Sequence, residues 1–256
     1  MPAQNGQKVF GAGRFYGTAL PLTTASISTP VPFLVAQDIA VDFKRDIKKL
    51  FGQNQLPVDV SAGMLTVTGK VTNGVFSARA FNDMLIGGTL STGQLPNVAN
   101  ETLTCTTGST ATVAAANGAA FVTDLGIFGA TDGVPLVKVS TATAVLADQY
   151  SVSTLGVYQF SSLAARTSLK ASYIYSTSGG QTVTMTNQAM GRTGGFSAVV
   201  AMLWGTEKAT ITLNNCISSD YGFATKLDDY NKPTFGFEAA CDTSDVLGTY
   251  SFAELS

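Results

Sequence analysis

From Phe33 to Phe43 the chain alternates. Val35, Ile39, Val41 and Phe43 share one parity while Asp38 and Asp42 hold the other, the period of a half-buried strand. Directly afterwards Ile47, Leu50 and Phe51 fall at i, i+3 and i+4, and Gly52 stands where a helix would stop. That spacing predicts a short helix over Lys44–Phe51. Lys44, Arg45, Lys48 and Lys49 would form its polar side, read as a solvated face near a helix C-terminus in preference to a nucleic-acid contact. A loop, Gln53–Pro57, leads to a strand around Met64–Val71. Ser77 is placed as an N-cap, Ala80, Phe81, Met84 and Leu85 have the spacing that docks a helix on a sheet, and Gly87-Gly88 ends it.

Beyond that point the pattern is strand and turn. Short runs at Thr102–Thr106, Ala111–Ala114, Phe121–Phe128, Leu136–Val139, Tyr150–Ser153, Val157–Phe160 and Ala171–Tyr175 have the spacing of an all-β sandwich. Asp148–Val152 and Gly156–Phe160 alternate cleanly and predict a hairpin, with Lys170–Tyr175 expected beside it. Further strands are expected at Thr182–Thr186, Phe196–Trp204, Lys208–Leu213, Phe235–Ala240 and Gly248–Phe252. The reading that follows is a mainly β chain: a β-sandwich or barrel core with one or two short helices, formed by 31–90 and 181–256. A small β-sandwich (Ig-like) domain, 91–180, is inserted in it. Residues 1–30, with Gly6, Gly11, Gly13 and Gly17 before a Thr/Ser stretch, read as an arm with little of its own to bury.

Composition narrows the function. The 256 residues include no His, which removes Ser-His-Asp and Cys-His catalysis and His ligation of metals. Only 12% of residues are charged and the net charge is −2, so no electrostatic footprint for polyanions exists. No apolar run approaches the roughly 18 residues of a membrane-spanning helix, and the Met1–Lys8 stretch lacks the apolar core of a signal peptide. Cys105, Cys216 and Cys241 have no paired spacing; they read as buried small hydrophobes in a reducing compartment, with a Cys216–Cys241 disulfide as the alternative.

No candidate chemistry rises above its bland counterpart. Gly11-Ala12-Gly13-Arg14-Phe15-Tyr16-Gly17 lacks the strand before and helix after that a dinucleotide loop requires. Gly191-Arg192-Thr193-Gly194-Gly195 lacks the ending of a phosphate loop. Asp228-Asp229 and Asp242/Asp245 are better explained as turn formers than as an acid–base pair. Trp204, ending an apolar strand, fits packing better than sugar stacking. The expectation is a protein with no enzymatic activity, no cofactor and no metal. Few charges, Thr- and Val-rich strands and weakly defended edges such as Thr182–Thr186 suit a subunit that pairs with its own copies.

Three groups of residues carry a family resemblance. Leu50–Val60, with Gly63, Val67–Lys70 and Ala80–Asp83, resembles a stretch of tailed-bacteriophage structural proteins. The Tyr150–Ser162 hairpin with Tyr173–Tyr175 is similar to β modules of phage virion proteins. The segment Phe196–Trp204, Leu213–Ser219, Lys226-Leu227-Asp228 and Phe235–Ala239 resembles the end of tail tube (major tail) proteins. The resemblance implies a virion protein made in the host cytoplasm that forms stacked, six-membered rings. These would make a tube through whose lumen DNA passes without specific binding, the inserted domain projecting outward. Its partners would be itself and other tail proteins (terminator, baseplate or tip, tape measure), with no membrane. Contacts between subunits would fall on Phe10, Phe15 and Tyr16 of the arm, Gln53, Asn54, Gln55 and Leu56 of the loop, and Thr182, Thr184 and Thr186 of the edge. A ring of chains at −2 each would offer DNA an acidic, poorly adhesive bore. The alternatives are a capsid decoration (cement) protein and a receptor- or carbohydrate-binding tail module.

Overall fold

The computed structural model describes residues 11, 13–20, 28–104, 111–140, 148–160, 168–187, 189–190, 194–204 and 207–252, with no side-chain placement at 111–113, 204 and 207. In chain order the first elements are β1 (Arg14–Ala19), β2 (Val31–Phe33), β3 (Ala36–Phe51), β4 (Pro57–Asn73), α1 (Ala78–Phe81) continued by a π-turn at Asn82–Ile86, and β5 (Thr89–Gln94). Next come β6 (Asn97–Thr104), β7 (Ala111–Ala114), β8 (Phe121–Gly129), β9 (Val137–Lys138), β10 (Gln149–Val152), β11 (Val157–Phe160), β12 (Ser168–Tyr175) and β13 (Thr177–Thr184). The chain closes with β14 (Phe196–Trp204), β15 (Glu207–Gly222), β16 (Thr234–Ala240) and β17 (Gly248–Phe252). The fold is mainly β, and it divides into two compact units, one from the described residues of Met1–Leu90 and Val183–Ser256, the other Ser91–Thr182. The chain enters and leaves the second unit through β5 and β13, which pair as a two-stranded sheet.

The first unit is built on one eight-stranded sheet in the order β2-β1-β14-β15-β16-β4-β3, with β17 also on β15. Its terminal strands β2 and β3 are separated in sequence by only Leu34-Val35, so the sheet must curl until its two ends meet, the geometry of a barrel-like roll. Aromatic side chains fill the inside. Phe15 and Phe33 pack edge to face with centroids 4.9 Å apart, and Phe196 contacts Phe235 at 5.5 Å and Phe237 at 5.7 Å. Phe235 and Phe237 point inward from one strand, and a Cβ at Gly69 on the neighbouring strand would overlap the Phe237 ring. Ser77 caps α1, its Oγ accepting from Ala80 N–H at 3.2 Å. Ala80 and Met84 lie in the core, and Gly87 closes the π-turn in the left-handed region that glycine tolerates, φ 61°.

The second unit is a two-layer sandwich. Sheets β7-β11-β10-β9 and β6-β12-β8 share a core of Leu103, Ile127, Tyr150, Tyr158, Phe160, Leu169 and Tyr173. The β10–β11 hairpin pairs Tyr150 with Phe160, where the alternation placed it. Asp124, its side chain only 2% exposed, accepts from Tyr150 OH at 2.7 Å and Tyr158 OH at 3.2 Å and meets Lys138 Nζ at 3.2 Å. Burial first, then the adjacent carboxylate, pushes both phenols well above their ordinary range.

Four expectations are corrected. Lys44–Phe51 is strand, not helix: it is the distal half of β3 and pairs along its length with β4. Residues 14–19, assigned to an arm, form a strand between β2 and β14. Lys170–Tyr175 lies in the sheet opposite the β10–β11 hairpin, between β6 and β8, because its inward residues Leu169, Ala171 and Tyr173 face Tyr158 and Phe160 across the core. Cys241 is exposed, while Cys216 is buried and unpaired with it, the thiol pushed up to about 12 by burial. Cys105 and the Trp204 side chain lie outside what is described.

Candidate assembly interface

β3 and β4 are 16 and 17 residues long, roughly 50 Å at about 3.3 Å per residue. β16 supports only their base: it pairs with β4 from Val67 to Thr72. From Asp42 on β3 to Thr66 on β4, where all but Asp42 and Phe43 lie beyond that level, nearly every residue is exposed. The result is a two-stranded ribbon standing out from the sheet, and such a ribbon alone in water is marginal. Its local sequence explains its form. Val58, Val60 and Ala62 alternate with Asp59 and Ser61, and Gly52–Leu56 turn the chain between the strands. Register shifts occur between Arg45 and Ile47 and between Leu50 and Phe51.

Residues directly opposite in an antiparallel pair share a face. Ile39 and Val71, Val41 and Gly69, and Phe43 and Val67 are opposed, with Val67 and Val71 in the core. This core-facing side continues outward through Arg45–Leu65, Ile47–Ala62 and Lys49–Val60. The other side carries Asp42, Thr68, Lys44, Thr66, Lys48, Ser61, Leu50 and Asp59, with Lys48 Nζ 3.7 Å from Asp46. The ribbon is therefore amphipathic. Its apolar side prolongs the core-facing side of the sheet past the point where any described element covers it: Phe51 is 58% exposed, and Leu56 at the tip 78%. An apolar face left uncovered in this way is a candidate interaction surface.

Backbone edges are open as well. Among the described residues β17 pairs only with β15, β2 only with β1, and β3 only with β4, and Pro57–Thr66 of β4 is paired on one side alone. Gly248 starts β17 because a Cβ there would collide with the Thr212 carbonyl. Asp242 shapes the turn into β17. Its Oδ1 accepts from Ser244 and Val246 N–H at 2.9 and 3.0 Å, and Asn214 donates to Oδ2 at 2.8 Å. These bonds, the Val246 one first, hold its carboxyl below the ordinary range. Asp229 is lowered chiefly by Lys232, 3.3 Å away.

The residues expected at subunit contacts are scattered. Gln53, Asn54, Gln55 and Leu56 sit together, exposed, at the ribbon tip. Phe15 is a core residue with no surface to offer a neighbour. Tyr16 is half-buried and lines a cavity of about 270 Å³ with Arg14, Pro32, Phe33 and Leu34. Thr182 is half-buried, its Oγ1 donating to the Gly93 carbonyl at 2.8 Å, while Thr184 and Thr186 are exposed. Phe10 lies outside the described residues. Sequence reading missed Phe43, Ile47, Val58, Val60, Tyr250 and Phe252 as surface residues. The alternation of Val58 to Ala62 was the available signal for a longer β4. Among the described residues no group of three or more His, Cys, Asp or Glu could hold a metal ion, and no helix is long and apolar enough to cross a membrane. No protein-family model matches the chain, and no curated protein sequence matches it.

Proposed function

We propose that this protein is a structural subunit of a phage tail tube, joining copies of itself into stacked rings, six to a ring, around a bore that passes DNA. The observation that carries the reading is the ribbon from Asp42 to Thr66. It is long, exposed on both sides and apolar on one, so it needs a cover that its own unit does not supply. Open edges at β17 and on distal β4 add unpaired backbone donors and acceptors, which a neighbouring strand would satisfy. The low charge content and the net charge of −2 suit close packing of copies and a bore that does not grip a polyanion. In this reading the ribbon tip at Gln53–Leu56 reaches the next ring. Negative-stain electron microscopy of the full-length protein tests it. Stacked rings with a central hole are expected; monomers dispersed at every concentration would overturn it.

A further inference from the structure

We propose that neighbouring copies join edge to edge, β17 of one pairing with the Val58–Ala62 stretch of β4 of the next; the joint rests on the polymer reading above and says which strands make it. The free edges of the first unit differ in how they are defended. β3 carries Asp38, Asp42, Lys44, Arg45, Asp46, Lys48 and Lys49, and charge on an edge discourages pairing. β2 has three residues, one of them Pro32, which lacks a backbone donor. β17, Gly-Thr-Tyr-Ser-Phe, has neither charge nor proline. On β4, Asp59–Ala62 runs in regular register between the two irregularities of the ribbon and carries one charge. The five residues of β17 cover these four and Val58 beside them.

The faces match too. Tyr250 and Phe252 lie opposite Ile211 and Ala209. They therefore stand on the side of the sheet where Ala209 is buried, yet they are 61% and 52% exposed. Val60 and Ala62 occupy the same core-facing side of the ribbon. Once paired, Tyr250 and Phe252 of one copy abut Val60 and Ala62 of the next, so apolar side chains meet across the joint. The directions agree: β17 is antiparallel to β15, β15 to β16 and β16 to β4. In copies pointing the same way, β17 and β4 are then antiparallel. The contact uses two different surfaces, so it is head-to-tail and closes into a ring when the rotation allows.

Cysteine cross-linking of the full-length chain, in a Cys105→Ser and Cys241→Ser background that leaves only the buried Cys216, tests the joint. Ser61→Cys is combined with Ser251→Cys or with Thr249→Cys, which covers the two registers on the outer side. One pairing is expected to give, on mild oxidation, a ladder of covalent oligomers ending at the ring, with neither cysteine sufficient alone. Assembled particles in which neither pairing cross-links would overturn the joint and leave the polymer reading standing. Covalent dimers from Ser251→Cys alone would also overturn it, since they require β17 against β17. Monomeric wild-type protein removes both. Ser251→Lys, which places a charge on the edge, is expected to abolish assembly with an unchanged circular dichroism spectrum, and undiminished assembly by it would count against the joint.

Discussion

The two units of this chain solve the same problem in opposite ways. Both pack aromatic side chains between β-strands, yet the Ser91–Thr182 unit finishes its surface and the other leaves its surface open. In the second unit the outer strands of one sheet are irregular, as β3 and β4 of the first unit also are. β6 and β8 both shift register against β12, near Ala171 and between Ser172 and Tyr173; such bulges blunt an edge. Its exposed apolar residues, among them Leu95, Val122, Leu125, Val137 and Leu155, are spread over several elements. In the first unit Phe43, Ile47, Val60 and Leu65 line one side of one ribbon. On the proposed reading, the difference separates a module stabilised from within from one whose exposed ribbon is covered by a neighbouring copy.

The largest effect should come from breaking the ribbon's apolar side. Phe43→Asp with Ile47→Asp is expected to eliminate assembly completely, read by sedimentation velocity, while circular dichroism at high dilution stays that of the unassembled wild type. Assembly that survives this change would erase the distinction between the units. Next in size, Phe237→Ala removes a ring at the centre of the first core, at a cost of about 3–5 kcal/mol. Calorimetry should show a transition of the first unit falling in temperature while that of Ser91–Thr182 stays in place; a common shift of all unfolding would mean the units are not independent.

Within the second unit, Asp124→Ala leaves the hydroxyls of Tyr150 and Tyr158 without their acceptor, a loss of about 1–3 kcal/mol confined to that unit's transition. The same cluster sets a pH dependence. Phenols raised in the folded state contribute stability below the unfolded tyrosine value of about 10, and that stability is lost as pH climbs above it. Absorbance at 295 nm should show Tyr150 and Tyr158 ionising only with unfolding, and earlier in Asp124→Ala. The smallest effect is chemical: at pH 8, alkylation followed by peptide mass spectrometry should modify Cys241 and spare Cys216, whose thiol is pushed up to about 12.

Parts of this organisation were legible without coordinates because their signals are local. The caps at Ser77 and Gly87 and the alternation of the Tyr150–Phe160 hairpin each involve neighbours in sequence, and each element lies where it was expected. The candidate interface was legible only at its tip. Gln53–Leu56 announces a turn by composition, but Lys44–Phe51 carries apolar residues that satisfy a helical spacing and a strand equally well. Its partner strand decides between them.

What the sequence determined by itself is the character of the molecule: mainly β, sparsely charged, without histidine, with serine and glycine bounding the helical segment Ala78–Ile86. Tertiary structure alone decided which strands pair, that the ends of the large sheet meet at Leu34-Val35, and that the apolar side of β3 and β4 runs on beyond its own core. The physical reason is that a strand is half of a hydrogen-bonded pair. Its backbone bonds and its buried face are completed by residues far along the chain, so whether Phe43 or Ile47 is inside or outside depends on a partner that local spacing does not name.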